Sequence, residues 1–277
     1  MTNKPIICHM RTPENIDGFY FQQGYNYAES TPDGSVKLGG GCQASSLLIA
    51  LRLFEGNKYL TMDNISMAAD RLGLAFHDKE YATRISYASI PLIAAFALPR
   101  SDVRFNHTMT TEEISKFPPT TFYGNEANRL YVNMPRISNL TSLFGISTSE
   151  QVADIRKSLR SGGIAIPLVH PNTLYSSDDP ETASFLHVVV VSEYNDATDC
   201  VRVIDPSPGF SHMPAFKRLR GEGRLKIRAN TIRDIQSVNQ VARKFHPLKS
   251  IDYFIPVKKL EESLRSVSTI IEPSKNN

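Results

Sequence analysis

The sequence predicts an α+β protein in which an N-terminal helical part packs on an antiparallel β-sheet. Two observations carry this prediction. Apolar residues recur at helical spacing between residues 42 and 98, and β-branched runs bounded by turn residues follow from residue 164 onwards. Helices that precede a run of strands, without alternating strand–helix units, are typical of this class.

The helices are predicted from the spacing of apolar residues and from residues that end helices. The helix from Cys42 should end near Gly56, and Pro91 should mark a start or a kink in the third helix. The fourth helix has a Ser/Thr cap, Glu150 in its first turn and paired glycines at its end. The predicted helices span 42–56, 62–72, 85–98 and 147–163.

The strands are predicted from short apolar runs between turn residues. The run "FLHVVVVSEY" is rich in β-branched residues, as expected of a central strand, and the following strand ends at an Asp-Pro pair. A short turn, "NDATD", joins these two strands. The predicted strands span 164–169, 185–194, 200–210, 223–229 and 250–257.

Composition sets the domain organisation and limits the partners. The chain has 277 residues, 41% hydrophobic and 21% charged, as is ordinary for a soluble globular protein. We predict one domain over 1–260, with an irregular arm at 1–38, and a polar, flexible tail at 261–277. The net charge of +3 does not indicate a nucleic-acid partner, and no apolar run is long enough to cross a bilayer. The N-terminus lacks a signal-peptide core, which favours a cytoplasmic protein or one exported by a specialised system.

Cys42 is the predicted nucleophile. The three cysteines, Cys8, Cys42 and Cys200, are too few and too scattered for a disulfide framework or a zinc cluster. Cys42 follows three glycines at 39–41 and begins a predicted helix, whose N-terminus would lower the thiol pKa and offer N–H groups to an oxyanion. The alternative for Cys42 is a buried core thiol. Cys8 and Cys200 are predicted to be inert.

His187 and Asp205 are the predicted partners of this nucleophile. His187 lies among apolar residues at the head of the strand, and Asp205 ends the next strand. Antiparallel strands joined by a short turn place their far ends side by side, which gives nucleophile, base and orienting acid as Cys42, His187 and Asp205. Three alternatives stay open at this point: His170 as the base, and Asn195 or Asp196 as the orienting group.

Four segments together resemble a known family: "GGGCQASSLLIALRLF", "LRSGGIAIPLV", "HVVVVSEYND" and "VRVIDPSPG". In this order they are similar to the papain-like cysteine peptidases, in particular the bacteriocin double-glycine-leader peptidase-like group and related bacterial effector proteases. The resemblance covers 39–54 and 155–210, under a third of the chain. It implies a papain-like fold with the active site in a cleft between helices and sheet, a protein or peptide substrate, and no metal or organic cofactor.

The resemblance also implies a glutamine that donates to the oxyanion from a few residues before the cysteine. The nearest upstream glutamines are Gln22 and Gln23, about twenty residues from Cys42, and Gln23 is preferred because it is nearer. The alternative function is that of a glutamine deamidase or of an acyltransferase or transglutaminase acting on a protein. Each of these enzymes would share the first half-reaction with a cysteine peptidase. A catalytically inactive binding module of the same fold is a further alternative. The basic stretch at 216–229 is predicted to be a solvated hairpin face, with an acidic substrate or a phosphate-bearing membrane surface as its alternative partner.

Overall fold

A computed structural model describes residues 16, 18–20, 42–74, 85, 87–116, 137–176, 186–206 and 251–274. Its helices are α1 (Cys42–Glu55), α2 (Met62–Arg71), α3 (Ser89–Ala97), α4 (Thr111–Ser115), α5 (Thr148–Arg160), α6 (Pro171–Tyr175) and α7 (Val257–Ser263). Its strands are β1 (Ser101–His107), β2 (Leu140–Phe144), β3 (Ile164–Val169), β4 (His187–Val188), β5 (Val190–Asn195), β6 (Cys200–Ile204), β7 (Asp252–Pro256) and β8 (Leu264–Pro273). Among the helices in these ranges, none has the length and apolar character needed to span a membrane.

The eight described strands form one mixed sheet, in the order β2-β1-β8-β3-β5-β6-β7, and β4 pairs with β3. The predicted α+β class is confirmed. The prediction of a wholly antiparallel sheet is wrong at one edge, because β1 and β2 run parallel while the other described pairs are antiparallel. A parallel pair needs a long crossover between its strands. β1 and β2 are neighbours in the sheet but are far apart in the sequence. Both lie in the proline-interrupted region 100–148, whose sequence shows no clear strand pattern.

Side chains of the central strands alternate between two apolar cores. Ile164, Ile166 and Leu168 of β3 pack with helices α1–α3, whereas Ala165 and Val169 pack with α5–α7. This alternation is the ordinary consequence of a strand's two-residue repeat. The sheet therefore lies between two helical layers, and the helices of the N-terminal part cover one of its faces.

The predicted helix ends are confirmed for α1, α2 and α5. Gly56 and Gly73 follow α1 and α2 with φ of +64° and +65°, a left-handed conformation that glycine adopts without strain. At the start of α5, Ser147 Oγ accepts a hydrogen bond from the Glu150 N–H at 3.2 Å, and Glu150 Oε2 accepts one from the Ser147 N–H at 2.7 Å. The third helix is shorter than predicted and begins at Ser89.

The prediction of a flexible tail at 261–277 is wrong for residues 261–273. Helix α7 continues to Ser263, and β8 lies between β1 and β3 in the middle of the sheet. Several polar residues of this segment are buried, and two of them are bonded to distant parts of the chain. Ser268 Oγ donates to Gln151 Oε1 at 2.9 Å, and Glu272 forms an ion pair with Arg104.

We expect Ile270→Ala to lower the free energy of unfolding by about 2–5 kcal/mol, because Ile270 of β8 is fully buried between sheet and helices. A flexible tail would show almost no change. Urea denaturation measures the difference, with Lys258→Ala on the exposed surface of α7 as the matched control, expected to stay within about 0.5 kcal/mol of wild type. An Ile270→Ala curve superimposable on that of Lys258→Ala would contradict the central position of β8.

Candidate active site

His187 and Asp205 form a hydrogen-bonded pair in the interior. His187 opens β4, where it pairs with Val169 of β3, and the chain leaves this ladder at Val189 before continuing as β5. Asp205 directly follows β6, whose last residue pairs with the first residue of β5. The contact that strand pairing predicts is confirmed: His187 Nε2 lies 2.7 Å from Asp205 Oδ1, and both residues have 0% of their surface exposed.

The backbone of Asp205 is held on both sides. Its N–H donates to the carbonyl of Ile251 at 2.9 Å, and its carbonyl accepts a hydrogen bond from the Tyr20 hydroxyl at 2.8 Å. Tyr20 is itself buried, and its carbonyl accepts a hydrogen bond from Arg52 of α1 at 3.2 Å. Tyr20, a residue of the predicted irregular arm, therefore holds the main chain of Asp205 in place. No sequence pattern predicts this role.

Cys42 is the first residue of α1 and is half-buried against the core of α1–α3. Its Sγ donates to Gln43 Oε1 at 3.3 Å. One helical turn later, Ser46 Oγ donates to the carbonyl of Val188 at 2.9 Å, which joins the start of α1 to the residue after His187. The structure thus brings the three predicted residues to one junction, formed by the start of α1, β4 and the end of β6.

Gln43 and Ser46 were not singled out from the sequence. Their only sequence signal is their spacing from Cys42, one and four residues along the same helix. Residues four apart in a helix lie one above the other on the same face. The spacing therefore predicts that Ser46 lies on the same face of the helix as Cys42.

Burial of the sulfur raises the pKa of the Cys42 thiol to about 11. The negative charge of Asp205 raises this pKa further, while hydrogen bonds with the backbone of Val188, Gln43 and Cys42 lower it without compensating. The expectation that the helix N-terminus would depress the thiol pKa is therefore wrong for the resting protein. The helix amides act in the predicted direction, but removing the sulfur from water has the larger effect.

We expect iodoacetamide to alkylate Cys42 about 30-fold more slowly at pH 7 than it alkylates an ordinary thiol. A pKa of about 11 leaves a thiolate fraction roughly 300-fold smaller than a pKa near 8.5 does. A more basic thiolate is also more nucleophilic, which raises the rate about tenfold and offsets part of this loss. Because the pKa is raised, the rate should keep rising through about pH 11.

Peptide mapping by mass spectrometry measures this rate at each cysteine across a pH series. Cys200 is the internal reference, since it is half-buried at the start of β6 and its Sγ donates to the Thr198 carbonyl at 3.4 Å. Labelling of Cys42 at pH 6 that outpaces Cys200 would instead indicate a thiolate–imidazolium pair in the resting protein.

The residues considered as alternative base or orienting group each make a contact elsewhere in the fold. His170 caps the N-terminus of α6, where its Nδ1 accepts a hydrogen bond from the Thr173 N–H at 3.4 Å. Asp196 is exposed and pairs with Arg160 at 2.6 Å. The side-chain oxygen of Asn195 accepts hydrogen bonds from two N–H groups of its own turn. The side chain that is hydrogen-bonded to His187 Nε2 is that of Asp205, and not that of Asn195 or Asp196.

Several predictions fall outside the described residues and stay predictions. These are the oxyanion donor at Gln22 or Gln23, the glycines at 39–41, the thiol of Cys8, the basic stretch at 216–229 and the strand at 223–229. Within the part of the chain that the structure describes, no group of three or more His, Cys, Asp or Glu side chains is arranged to hold a metal ion.

The chain matches no protein-family model, and no curated protein sequence is significantly similar to it. The chemistry of the junction between α1, β4 and β6 is therefore the basis for any assignment of function.

Proposed function

We propose that the protein is a thiol-dependent hydrolase that cleaves an amide bond in a protein or peptide substrate, with Cys42, His187 and Asp205 as its catalytic triad. The observation that carries this proposal is the buried 2.7 Å hydrogen bond between His187 Nε2 and Asp205 Oδ1 beside the helix that begins with Cys42. A buried ionisable pair loses solvation on folding, so it is a poor device for stability alone. An imidazole held in one orientation by a carboxylate is what a general base requires.

The hydrogen bond to Asp205 assigns the two nitrogens of the ring. In neutral imidazole one nitrogen carries the proton and the other the lone pair. With Nε2–H donating to the carboxylate, Nδ1 is the basic nitrogen and takes the thiol proton of Cys42. Because the pKa of that thiol is about 11, the proton moves as the sulfur attacks, and no free thiolate accumulates beforehand.

The reaction then proceeds through a thioester. Cys42 Sγ bonds to the carbonyl carbon, and the imidazolium of His187 gives its proton to the leaving amine as the C–N bond breaks. His187 next removes a proton from water, which attacks the thioester and releases the acid and the thiol. Asp205 keeps the ring oriented and stabilises its positive charge during both steps.

We further propose that the protein has a papain-like fold and acts as an effector protease. A papain-like fold with its cleft between helices and sheet, and a role as an effector protease, are supported by the four sequence segments and by their order along the chain. The described fold supports the proposal in that Cys42 begins a helix and His187 lies on a strand of the adjacent sheet.

One experiment tests the proposed reaction and separates it from its alternatives. Wild type and Cys42→Ala are incubated with a cell lysate, and new protein termini and side-chain mass changes are mapped by mass spectrometry. New termini with wild type alone support the peptidase. Glutamine converted to glutamate without new termini would identify a deamidase, amine adducts an acyltransferase, and no change a binding module, each of which contradicts peptide-bond cleavage.

A further inference from the structure

The side chain of Gln43 contacts the proposed nucleophile. Cys42 Sγ donates to Gln43 Oε1 at 3.3 Å, and Gln43 is the second residue of α1. The N–H groups of this first turn have no acceptor within the helix and can donate to a negatively charged atom from outside it. A carboxamide and a set of backbone donors therefore meet at the reactive sulfur.

We infer that the carboxamide of Gln43 is the side-chain donor of the oxyanion hole, with the Cys42 N–H as the main-chain donor. This inference rests on the proposed function. A carboxamide has an acceptor on one side and a donor on the other, so a half-turn of the group brings Nε2–H to the place of Oε1. In the resting protein the carboxamide oxygen accepts a hydrogen bond from the thiol. Once the thiol proton has moved to His187, the negative charge on the substrate oxygen favours the N–H of the carboxamide.

The geometry suits this role because an oxyanion forms on the carbon that the sulfur attacks. Its oxygen therefore lies about 3 Å from the nucleophile and from its donors. A carboxamide at 3.3 Å from Sγ reaches that position without a change of backbone. Residues Ala44–Leu53 of α1 are buried, which fixes the helix that carries Gln43 and so preorganises the donor.

Two thiol reagents separate oxyanion stabilisation from thiol reactivity. With p-nitrophenyl acetate, Cys42 Sγ bonds to the ester carbonyl carbon, the thiol proton passes to His187, and p-nitrophenolate leaves with the electrons of its bond. The carbonyl oxygen carries negative charge before that bond breaks. Iodoacetamide reacts with the same sulfur by displacement of iodide, and no oxyanion forms.

Gln43→Ala should lower the acylation rate of Cys42 by p-nitrophenyl acetate about 10²–10³-fold. Alkylation by iodoacetamide should stay the same or rise, because the acceptor of the thiol proton is lost. Gln43→Glu should lose acylation at least as strongly, since a carboxylate has a similar shape but no donor and repels the oxyanion. Acylation is followed on the full chain by the release of p-nitrophenolate above the Cys42→Ala background, and alkylation by peptide mapping at Cys42. Glu55→Ala, at the exposed end of α1, controls for perturbation of the helix.

The outcomes distinguish this inference from the proposed function. Unchanged acylation in Gln43→Ala, or equal losses in acylation and alkylation, would overturn the donor role. If Gln23→Ala slowed acylation but not alkylation, and Gln43→Ala did not, Gln23 would be the oxyanion donor. The proposed triad would then be unaffected. Acylation of Cys42 that is unaffected by His187→Ala would instead contradict the triad itself.

Discussion

Cys42→Ala is expected to lower turnover by about 10⁶-fold, because loss of the nucleophile alone costs about as much as loss of the whole triad. Each step of the proposed reaction forms or breaks a bond to Sγ, and alanine offers no substitute. The substrate identified by terminus mapping serves for the measurement. Cys200→Ala is the matched control, since it removes a second half-buried thiol that lies away from the junction of α1, β4 and β6.

The same variant should keep its fold. Cys42 is half-buried, and alanine is a small residue that suits the start of a helix, so the free energy of unfolding should change by no more than about 1 kcal/mol. Circular dichroism and urea denaturation measure this. Full activity combined with a loss of several kcal/mol would identify Cys42 as a core residue and contradict the triad.

The part of the site that could be predicted depends on local pairing. The predicted strand 185–194 is divided at Val189 into β4 and β5, so His187 and Asp205 lie just beyond the far ends of the β5–β6 hairpin. Its short turn was still enough to predict that the two residues meet. The helix that begins at Cys42 followed equally directly from the spacing of its apolar residues. These two elements position the proposed triad.

The contacts that were not predicted join distant segments. Tyr20 and Asp205 are separated by 185 residues, and nothing near Tyr20 marks it as the donor to that carbonyl. Strand β8 was interpreted as a tail because the polar residues within it find their partners only in the folded protein, Ser268 on α5 and Glu272 on β1. A polar residue with a distant partner looks like a solvated one in the sequence.

The pKa of the Cys42 thiol was mispredicted for a related reason. The helix N-terminus that lowers this pKa is visible in the sequence, but the burial that raises it results from tertiary packing. The correction changes the proposed mechanism, because His187 must remove the proton during attack. It also gives a physical reason why the Cys42 thiol of the resting protein should react slowly with electrophiles.

The second large effect is expected at Asp205. Asp205→Asn should reduce turnover ten- to ten-thousand-fold, the upper limit being the loss when a triad aspartate becomes an amide. The lower end is expected here because the amide oxygen can still accept the hydrogen bond from His187 Nε2, which lies 2.7 Å from the carboxylate. Asp205→Ala should lose more activity and about 1–3 kcal/mol of stability, since it leaves a buried donor without an acceptor.

Asp196→Ala is the matched control, because Asp196 lies in the turn at the other end of the same hairpin. It is exposed, and its ion pair with Arg160 at 2.6 Å should contribute about 0–1 kcal/mol. We therefore expect wild-type turnover and wild-type stability from this variant. The rate of Cys42 acylation by p-nitrophenyl acetate across pH gives a second measure, in which Asp205→Asn should be slow and Asp196→Ala normal. If Asp196→Ala abolished turnover and Asp205→Ala preserved it, the hydrogen bond at His187 Nε2 would have no catalytic part, and the orienting acid would have to be sought in the turn.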